Sequence, residues 1–397
     1  MVTKGTRTPV RILHVLGGMD RAGAETWLMH ILRSIDRTRY QMDFLVHNPG
    51  IHDYDEEIRA LGSAIILCPH TRNPLRYARD FGKILREHGP YDVVHSHVHH
   101  YSGLVLRLAT RAGVPTRIAH SHLDDAASTA QASPQRRAYL ALMRRWLAQH
   151  ATDGLAASEQ AAVDLFGPAW AADPRFRVLP CGVDLDPFAR PVCSRDVRAA
   201  LGIPAAAFVV GHVGRFTDQK NHAFLLAIAA EVARRDVAVR FLLIGAGELR
   251  PVIEARAGAL GLTEQIIFAG SRADVPQLLL GGMDAFVFPS RYEGLGLAVV
   301  EAQAAGLRCV VADGVPGEAD AVPSLVRRLS LGQTAGEWAG VLLGMQGVAP
   351  PVSQAEALRI VRATPFDVRT SWAQLERVYQ RPWRLSPPIS QPLRAGI

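Results

Sequence analysis

From Val10 onward, short uninterrupted apolar runs alternate with segments whose apolar residues recur every three or four positions. Val10-Arg-Ile-Leu-His-Val-Leu16 is the first such run, and it is continuous in hydrophobicity rather than alternating. Continuous runs of this kind predict buried parallel strands covered on both faces. Strands are expected at 10–16, 42–46, 64–67, 92–96, 117–120, 155–158 and 177–179, with helices between most of them. A second series starts at 208–213 and continues through 239–244, 266–268, 285–288 and 309–312. The first strand leads through Gly17, Gly18 and Gly23 into a helix over about 24–35, and the second series has a helix at 221–235. Between the two series, residues 180–191 contain three prolines and one glycine, which mark a linker.

The economical architecture is α/β: two doubly wound, Rossmann-like domains facing each other across a cleft. The expected boundaries are 1–188 for the first domain and 189–365 for the second. Residues 366–397 would form a helix packing back across the hinge, with Phe366, Trp372, Leu375 and Tyr379 as contacts, followed by a flexible Pro-rich tail. In such sheets ligands bind at the carboxyl ends of the strands, which places the active site between the domains.

The 397-residue length leaves room for two or three domains. A chain that is 48% hydrophobic and 20% charged excludes whole-chain disorder. The absence of a long apolar run argues against a spanning helix, and the polar start argues against a secretory signal. Cys68, Cys181, Cys193 and Cys309 are scattered without a Cys-x-x-Cys pair, which fits reduced thiols and a cytoplasmic location. The net charge of +7 is spread evenly and lacks interleaved aromatics, so nucleic acid is not the expected partner. A phosphorylated small molecule or an anionic membrane surface suits it better.

Candidate chemistry concentrates in the second series. Its first strand ends at Gly214, Arg215 follows, and Lys220 opens the next helix. Two cations beside a helix N-terminus suit a polyanion such as a diphosphate. Further on, Glu293-Gly294-Leu295-Gly296 lies between a strand end and a helix that carries Glu301. The glycines admit a ligand close to the backbone, and a carboxylate at Glu301 can take a vicinal diol of a ribose.

Taken with Gly-Arg-Phe216 and Gln-Lys-Asn221, the Glu-x7-Glu spacing resembles the retaining glycosyltransferases of family 4, which have the GT-B fold. Gly17-Gly-Met-Asp-Arg-Ala-Gly-Ala-Glu25 is similar to that family's opening loop, Leu179-Pro-Cys-Gly-Val-Asp184 to its hinge, and Phe268-Ala-Gly-Ser-Arg272 to its nucleotide-side loop. The resemblance covers about residues 10–315. Within the family, the opening loop, His95-Ser-His97 and Ile118-Ala-His-Ser-His122 are most similar to members that assemble exopolysaccharide or capsule.

The resemblance implies roles. Arg215 and Lys220 would hold the donor diphosphate and stabilise charge on departure. Glu293, with Gly294 and the amides of Leu295 and Gly296, would bind the transferred sugar, and Glu301 the ribose. Gly18 and Arg272 would complete the donor side, and Arg21, His97 and His120 the acceptor side. His122 is the expected first-domain sugar-binding histidine, with His120 as the alternative. The implied donor is a nucleoside diphosphate sugar, UDP-linked in the leading reading, with a glycan or lipid-linked acceptor and no metal or other cofactor. Front-face transfer and a covalent Glu293 adduct both stay open as mechanisms.

Competing readings are a GT-B-like enzyme of other outcome, such as a sugar-nucleotide epimerase or an inverting transferase, and a non-catalytic sugar-nucleotide-binding partner. A dehydrogenase is set aside because Gly245-Ala-Gly247 lacks the third glycine of a dinucleotide fingerprint, Arg250 standing in its place. Asp53-Tyr-Asp55 and Asp184-Leu-Asp186 have the form of metal-binding pairs but are read as structural. His95, His97 and His99 would share one face of an extended chain, and with His100 and no nearby carboxylate they are read as a polar cluster facing the acceptor. Arg72, Arg76, Arg79, Lys83 and Arg86 fall on one helix face opposite Leu75, Tyr77, Phe81, Ile84 and Leu85. With Arg136, Arg137, Arg144 and Arg145, they make peripheral contact with anionic lipid an expectation.

Overall fold

In the computed structural model, residues 9–122 and 133–380 are described. The apolar runs become two all-parallel sheets. The first contains β1 (Val10–Leu16), β2 (Tyr40–Val46), β3 (Ile65–Leu67), β4 (Val93–Ser96), β5 (Thr116–Ser121), β6 (Asp153–Ala156) and β7 (Phe176–Val178), in the order β3-β2-β1-β4-β5-β6-β7. The second contains β8 (Val209–Val213), β9 (Arg240–Ile244), β10 (Ile266–Gly270), β11 (Ala285–Phe288), β12 (Arg308–Ala312) and β13 (Val326–Leu329), in the order β10-β9-β8-β11-β12-β13. In both, the order reverses beside the first strand of the series, and that switch point is where an open sheet leaves a crevice.

Two departures from the expected strands have local causes. The strand expected at 155–158 sits at Asp153–Ala156, because Ser158 instead caps the helix Glu159–Phe166 by accepting a hydrogen bond from the Ala161 amide. β13, Val-Arg-Arg-Leu, has too few apolar residues to be recognised, and its Arg328 is held by Asp320 and by the carbonyls of Val315 and Pro316. A charged edge strand of four residues is a common way to close a sheet.

The helix Gly23–Ser34 presses Trp27, Leu28, Ile31 and Leu32 onto β1 and β2. Residues 180–191 lead from the first sheet to the second, and the chain returns at Phe366. Phe366 lies in the second core, whereas Leu375, Val378 and Tyr379 of the following helix, Val368–Tyr379, lie in the first. This crossing is fixed by backbone pairing: the Val183 amide donates to Phe366 O at 2.7 Å, and the Val368 amide to Val183 O at 3.0 Å. Gly182 is required there, since a Cβ would come within 2.5 Å of Val368 Cα. Asp186 pairs with Arg369 at 2.6 Å and Arg362 at 3.5 Å, which gives the hinge Asp-x-Asp a structural role. Asp53 accepts from the Arg21 amide, and buried Asp55 pairs with Arg59.

The helix Pro74–His88 buries Tyr77, Phe81, Ile84 and Leu85 and exposes its basic residues. Leu75 departs from the expected apolar side and stands 84% exposed among the arginines, because it lies in the first turn before the helix meets the sheet. Cys68, Cys181 and Cys309 are buried thiols and Cys193 is exposed. Among the described residues, no helix is long and apolar enough to cross a membrane. The tail expected to be flexible, 381–397, lies outside the described residues.

Because the helix Val368–Tyr379 completes the first core, Leu375→Ala is expected to cost about 2–5 kcal/mol, the usual range for truncating a fully buried leucine. Urea denaturation followed by tryptophan fluorescence checks this, and an unchanged midpoint would mean that the helix is only loosely docked.

Candidate active site

β8 and β11 end side by side, so the loops after them meet. After β8, Gly214 turns the chain at a point where a Cβ would lie 3.1 Å from Lys220 Cδ and 3.0 Å from the His212 ring. Arg215 is exposed in this loop. Gly245 and Gly247, both at positive φ, support the loop from below: a side chain on either would strike the backbone of Gly214 or Phe216. The loop and its support share hydrogen bonds from the Phe216 amide to Ala246 O and from the Leu249 amide to Phe216 O. The two glycines that hinted at a dinucleotide fingerprint therefore serve close backbone packing.

Lys220 ends a short turn, and Asn221 follows in the left-handed conformation, φ 55°, which asparagine tolerates. That turn aims Lys220 back under β11. Its Nζ lies 2.6 Å from Glu293 Oε1 and 4.8 Å from the centre of the Phe288 ring, and Gln219 donates to Glu293 Oε2 and to Tyr292 O. Glu293 is 6% exposed. A buried pair is held by mutual neutralisation, and removing one partner leaves a desolvated charge worth about 3–5 kcal/mol of destabilisation. Gly294, Leu295 and Gly296 are buried behind it, and Gly296, φ 94°, opens the helix Leu297–Ala304. Glu301, one turn into that helix, has no hydrogen-bond partner among the described residues, and burial pushes its pKa up to about 7. Arg272 is bound bidentately by Asp274 of its own loop.

The first domain faces this site with the N-terminus of Gly23–Ser34. Gly23 packs against Leu297, where a Cβ would lie 3.4 Å from Leu297 Cδ1, so the opening turns of two helices meet across the cleft. Glu25, in the first turn of the former, has its pKa raised to about 7 by burial, opposed in part by its own backbone hydrogen bond and by the charge of Arg215 on the facing domain. Sequence reasoning did not single out Glu25, although an acid in the first helical turn after a glycine loop was a usable signal. Gly18 is buried, and a side chain there would overlap the ring of His52, which bonds Asp20 and Asn48 O. Arg21 lies over the Tyr54 ring.

Five imidazoles gather at the ends of β1, β4 and β5. His14 Nδ1 lies 3.0 Å from His97 Nε2, His97 Nδ1 lies 2.8 Å from His122 Nε2, and His122 Nδ1 lies 3.4 Å from Cys181 Sγ. His95 bonds the Tyr379 hydroxyl at 2.8 Å, and His120 bonds Leu179 O at 3.3 Å. His120 is fully buried against Trp27, whereas His122 is only partly buried at the strand end. Burial lowers the pKa of His14 and His122 to about 3 and holds His95, His97 and His120 well below their ordinary value, mutual repulsion adding to the effect in those three. His95, His97 and His99 do not share a face as expected. β4 ends at Ser96 and a tight turn follows, so His99 and His100 point away to Asp164, a carboxylate 64 residues downstream of His100.

A family model described as "Glycosyl transferases group 1" matches residues 194–335, and one described as "Glycosyl transferase 4-like domain" matches residues 22–182. The chain is 38% identical over 332 residues to the protein named as glycosyltransferase EpsF of Bacillus subtilis (strain 168), covering 83% of this chain and 86% of that one. It is 27% identical over 328 residues to the UDP-Gal:alpha-D-GlcNAc-diphosphoundecaprenol alpha-1,3-galactosyltransferase of Escherichia coli, covering 78% and 81%. In fold it is similar to Anabaena Alr3699/HepE in complex with UDP and glucose, with a TM-score of 0.75, 20% identity and coverage of 93% and 98%. Sucrose-phosphate synthase from Thermosynechococcus elongatus gives a TM-score of 0.76 at 18% identity, covering 95% and 100%.

The titrations set opposite signs of pH dependence. An unfolded imidazole protonates near 6.5 while the buried ones stay neutral, so their stabilisation is complete above pH 6.5 and is lost as pH falls toward 3. Glu25 and Glu301 favour the folded state below about 4.5 and lose that contribution as pH rises to 7. With depressed imidazoles, the five of this cluster among them, outnumbering the two raised carboxyls, unfolding free energy is expected to fall between pH 6.5 and 5, and His14→Asn to flatten the slope. Urea titrations across that window measure it, and a slope equal in both proteins would remove the cluster as its source.

Proposed function

The chain belongs to the GT-B glycosyltransferases of the family 4 type, and from that premise we propose a retaining transfer from a nucleoside diphosphate sugar, UDP-linked, to a glycan or lipid-linked acceptor. The observation that carries the reading is the buried Lys220–Glu293 pair, flanked by Arg215 and Glu301 at the ends of β8 and β11. A UDP-linked donor is supported by the UDP and UDP-glucose complexes of HepE and by the UDP-Gal donor named for the E. coli relative. That relative's diphosphoundecaprenol acceptor supports a lipid-linked acceptor and a place in exopolysaccharide, capsule or lipopolysaccharide assembly.

In this reading a diphosphate entering between the loops draws Lys220 Nζ off Glu293. Lys220 and exposed Arg215 then bear on the departing phosphates and stabilise the charge that grows there, which leaves no task for a metal ion. Glu293, released from its ion pair but still held by Gln219, accepts hydrogen bonds from the sugar hydroxyls, helped by the amides of Leu295 and Gly296. Glu301 holds the ribose. His122 borders the sugar, and its ring is oriented by His97 on one nitrogen and Cys181 on the other. The departing phosphate takes the acceptor proton on the same face, so configuration is retained without a covalent intermediate. A trapped glycosyl–Glu293 adduct would refute this route.

A thermal-shift series against UDP, GDP and ADP tests the donor site. UDP at about 100 times its dissociation constant is expected to stabilise the protein by about 2.7 kcal/mol, and GDP and ADP much less. Arg215→Ala and Glu301→Ala should each lose most of the shift while remaining folded; equal shifts in the variants would put the nucleotide elsewhere.

The same proposal places the protein at the cytoplasmic face of a membrane, through the exposed basic side of Pro74–His88 with Leu75 among its arginines. Co-sedimentation with vesicles containing anionic lipid should fall at least about tenfold on charge reversal of Arg76, Arg79 and Lys83, at about 1 kcal/mol for each basic residue near the surface. Undiminished binding would remove this surface from the reading.

A further inference from the structure

Apart from the donor cleft, the side chains of His99, His100 and Asp164 converge where the turn after β4 meets the helix Glu159–Phe166. Their potential ligand atoms all lie within 4.8 Å of one another, and His99 Nε2 is 2.8 Å from Asp164 Oδ2. His100 is 4% exposed, and both its ring nitrogens are buried without a hydrogen-bond partner. A buried polar group left unpaired is costly, so an imidazole with two such atoms requires an explanation. His99 adds backbone strain, since it is held at φ 49°, in the left-handed region that few residues other than glycine, asparagine and aspartate adopt. The close approach of His99 to Asp164 leaves His100 orphaned. The rings of His99 and His100 meet edge to face at 4.2 Å, so His99 offers His100 no hydrogen bond.

We propose that His99, His100 and Asp164 form a binding site for a divalent transition-metal ion, with Zn²⁺ the best match to their donor set. Two imidazoles and one carboxylate suit Zn²⁺, whose ligand distances of about 2.0–2.2 Å place tetrahedral ligand atoms about 3.3 Å apart. Side-chain shifts of about an ångström bring the three atoms to that spacing. Mg²⁺ and Ca²⁺ prefer all-oxygen sets and are excluded by the two imidazoles. His99, with 18% of its side chain exposed, provides the way in and leaves a fourth position for water. The helix that carries Asp164 is anchored by Arg144, which donates to the Asp164 carbonyl at 2.7 Å, so the carboxylate stands on a fixed element. The ion would pin the turn two residues beyond His97, the middle member of the imidazole chain that reaches His122. Its role is to hold that turn, and sugar transfer at the opposite loops does not require it.

The full-length chain, stripped with a chelator and dialysed, is titrated with Zn²⁺ alone, with Mg²⁺ as the control. Isothermal titration is expected to give one Zn²⁺ per chain, a rise in unfolding temperature that Mg²⁺ does not reproduce, and a Co²⁺-substituted form with a tetrahedral visible spectrum. His100→Gln and Asp164→Asn should each weaken Zn²⁺ at least about 100-fold, since second-layer partners alone are worth about 10–100-fold. His99→Asn, at a partly exposed position, serves if either of the buried variants fails to fold. His97→Asn should keep the site, because it alters only the cleft imidazoles. Zn²⁺ that binds the His100 and Asp164 variants as tightly as the parent, or that is lost on His97→Asn, would overturn the assignment, as would failure of the parent chain to bind.

Discussion

The cleft exists because two separate sheets are tied by one short stretch of backbone pairing, Val183 against Phe366 and Val368. Both sheets are wholly parallel, so each delivers all its strand ends to one side. The hinge has only to set those two sides face to face. It does so with little freedom: Gly182 has no room for a side chain, Asp186 is gripped by two arginines, and Phe366 and Leu375 are buried in opposite cores. The meeting of Gly23 with Leu297 follows from that alignment, and so does the short distance over which Glu25 feels Arg215. A second tie lies at the rim, where the Glu159 amide, at the start of a first-domain helix, donates to Glu318 of the second domain.

The two walls of the cleft solve different electrostatic problems. The second domain concentrates formal charge, and it keeps Lys220 and Glu293 stable in a buried setting by pairing them. The first domain assembles five imidazoles and keeps them neutral by desolvation, so that they offer hydrogen bonds without repelling one another. One wall carries paired formal charge and the other neutral imidazoles. The imidazole chain also couples its members: each neutral ring has one N–H, so the direction of the His14–His97 bond sets that of His97–His122.

Much of this was legible in the residues. Continuous β-branched runs gave away the strands, because burial on both faces leaves no polar positions to blur them. The Gly-Arg, Lys and Glu-x7-Glu positions were legible because strand-to-helix loops hold their chemistry in a few consecutive residues. What escaped depended on the third dimension. β13 was hidden by its two arginines, of which Arg328 finds its partners in other loops. His99 was assigned to the wrong face because nothing local signals that the chain turns after Ser96. The carboxylate it meets is distant in sequence, and only the packing of Glu159–Phe166 on the neighbouring strands β5 and β6 brings it near. Gly245 and Gly247 carried a true signal of close backbone approach, but the neighbour was protein, not cofactor.

The helix Val368–Tyr379 also governs the order in which the molecule can be made. Trp27 donates to Ser371, Tyr40 to Glu376, and His95 meets Tyr379, so the first sheet is finished by residues that leave the ribosome after the whole second domain. Until then the nascent first domain presents an open seat lined by Trp27, Tyr40 and His95. Vectorial synthesis normally lets an N-terminal domain fold first; here the last packing of the first domain waits for a helix made after the second.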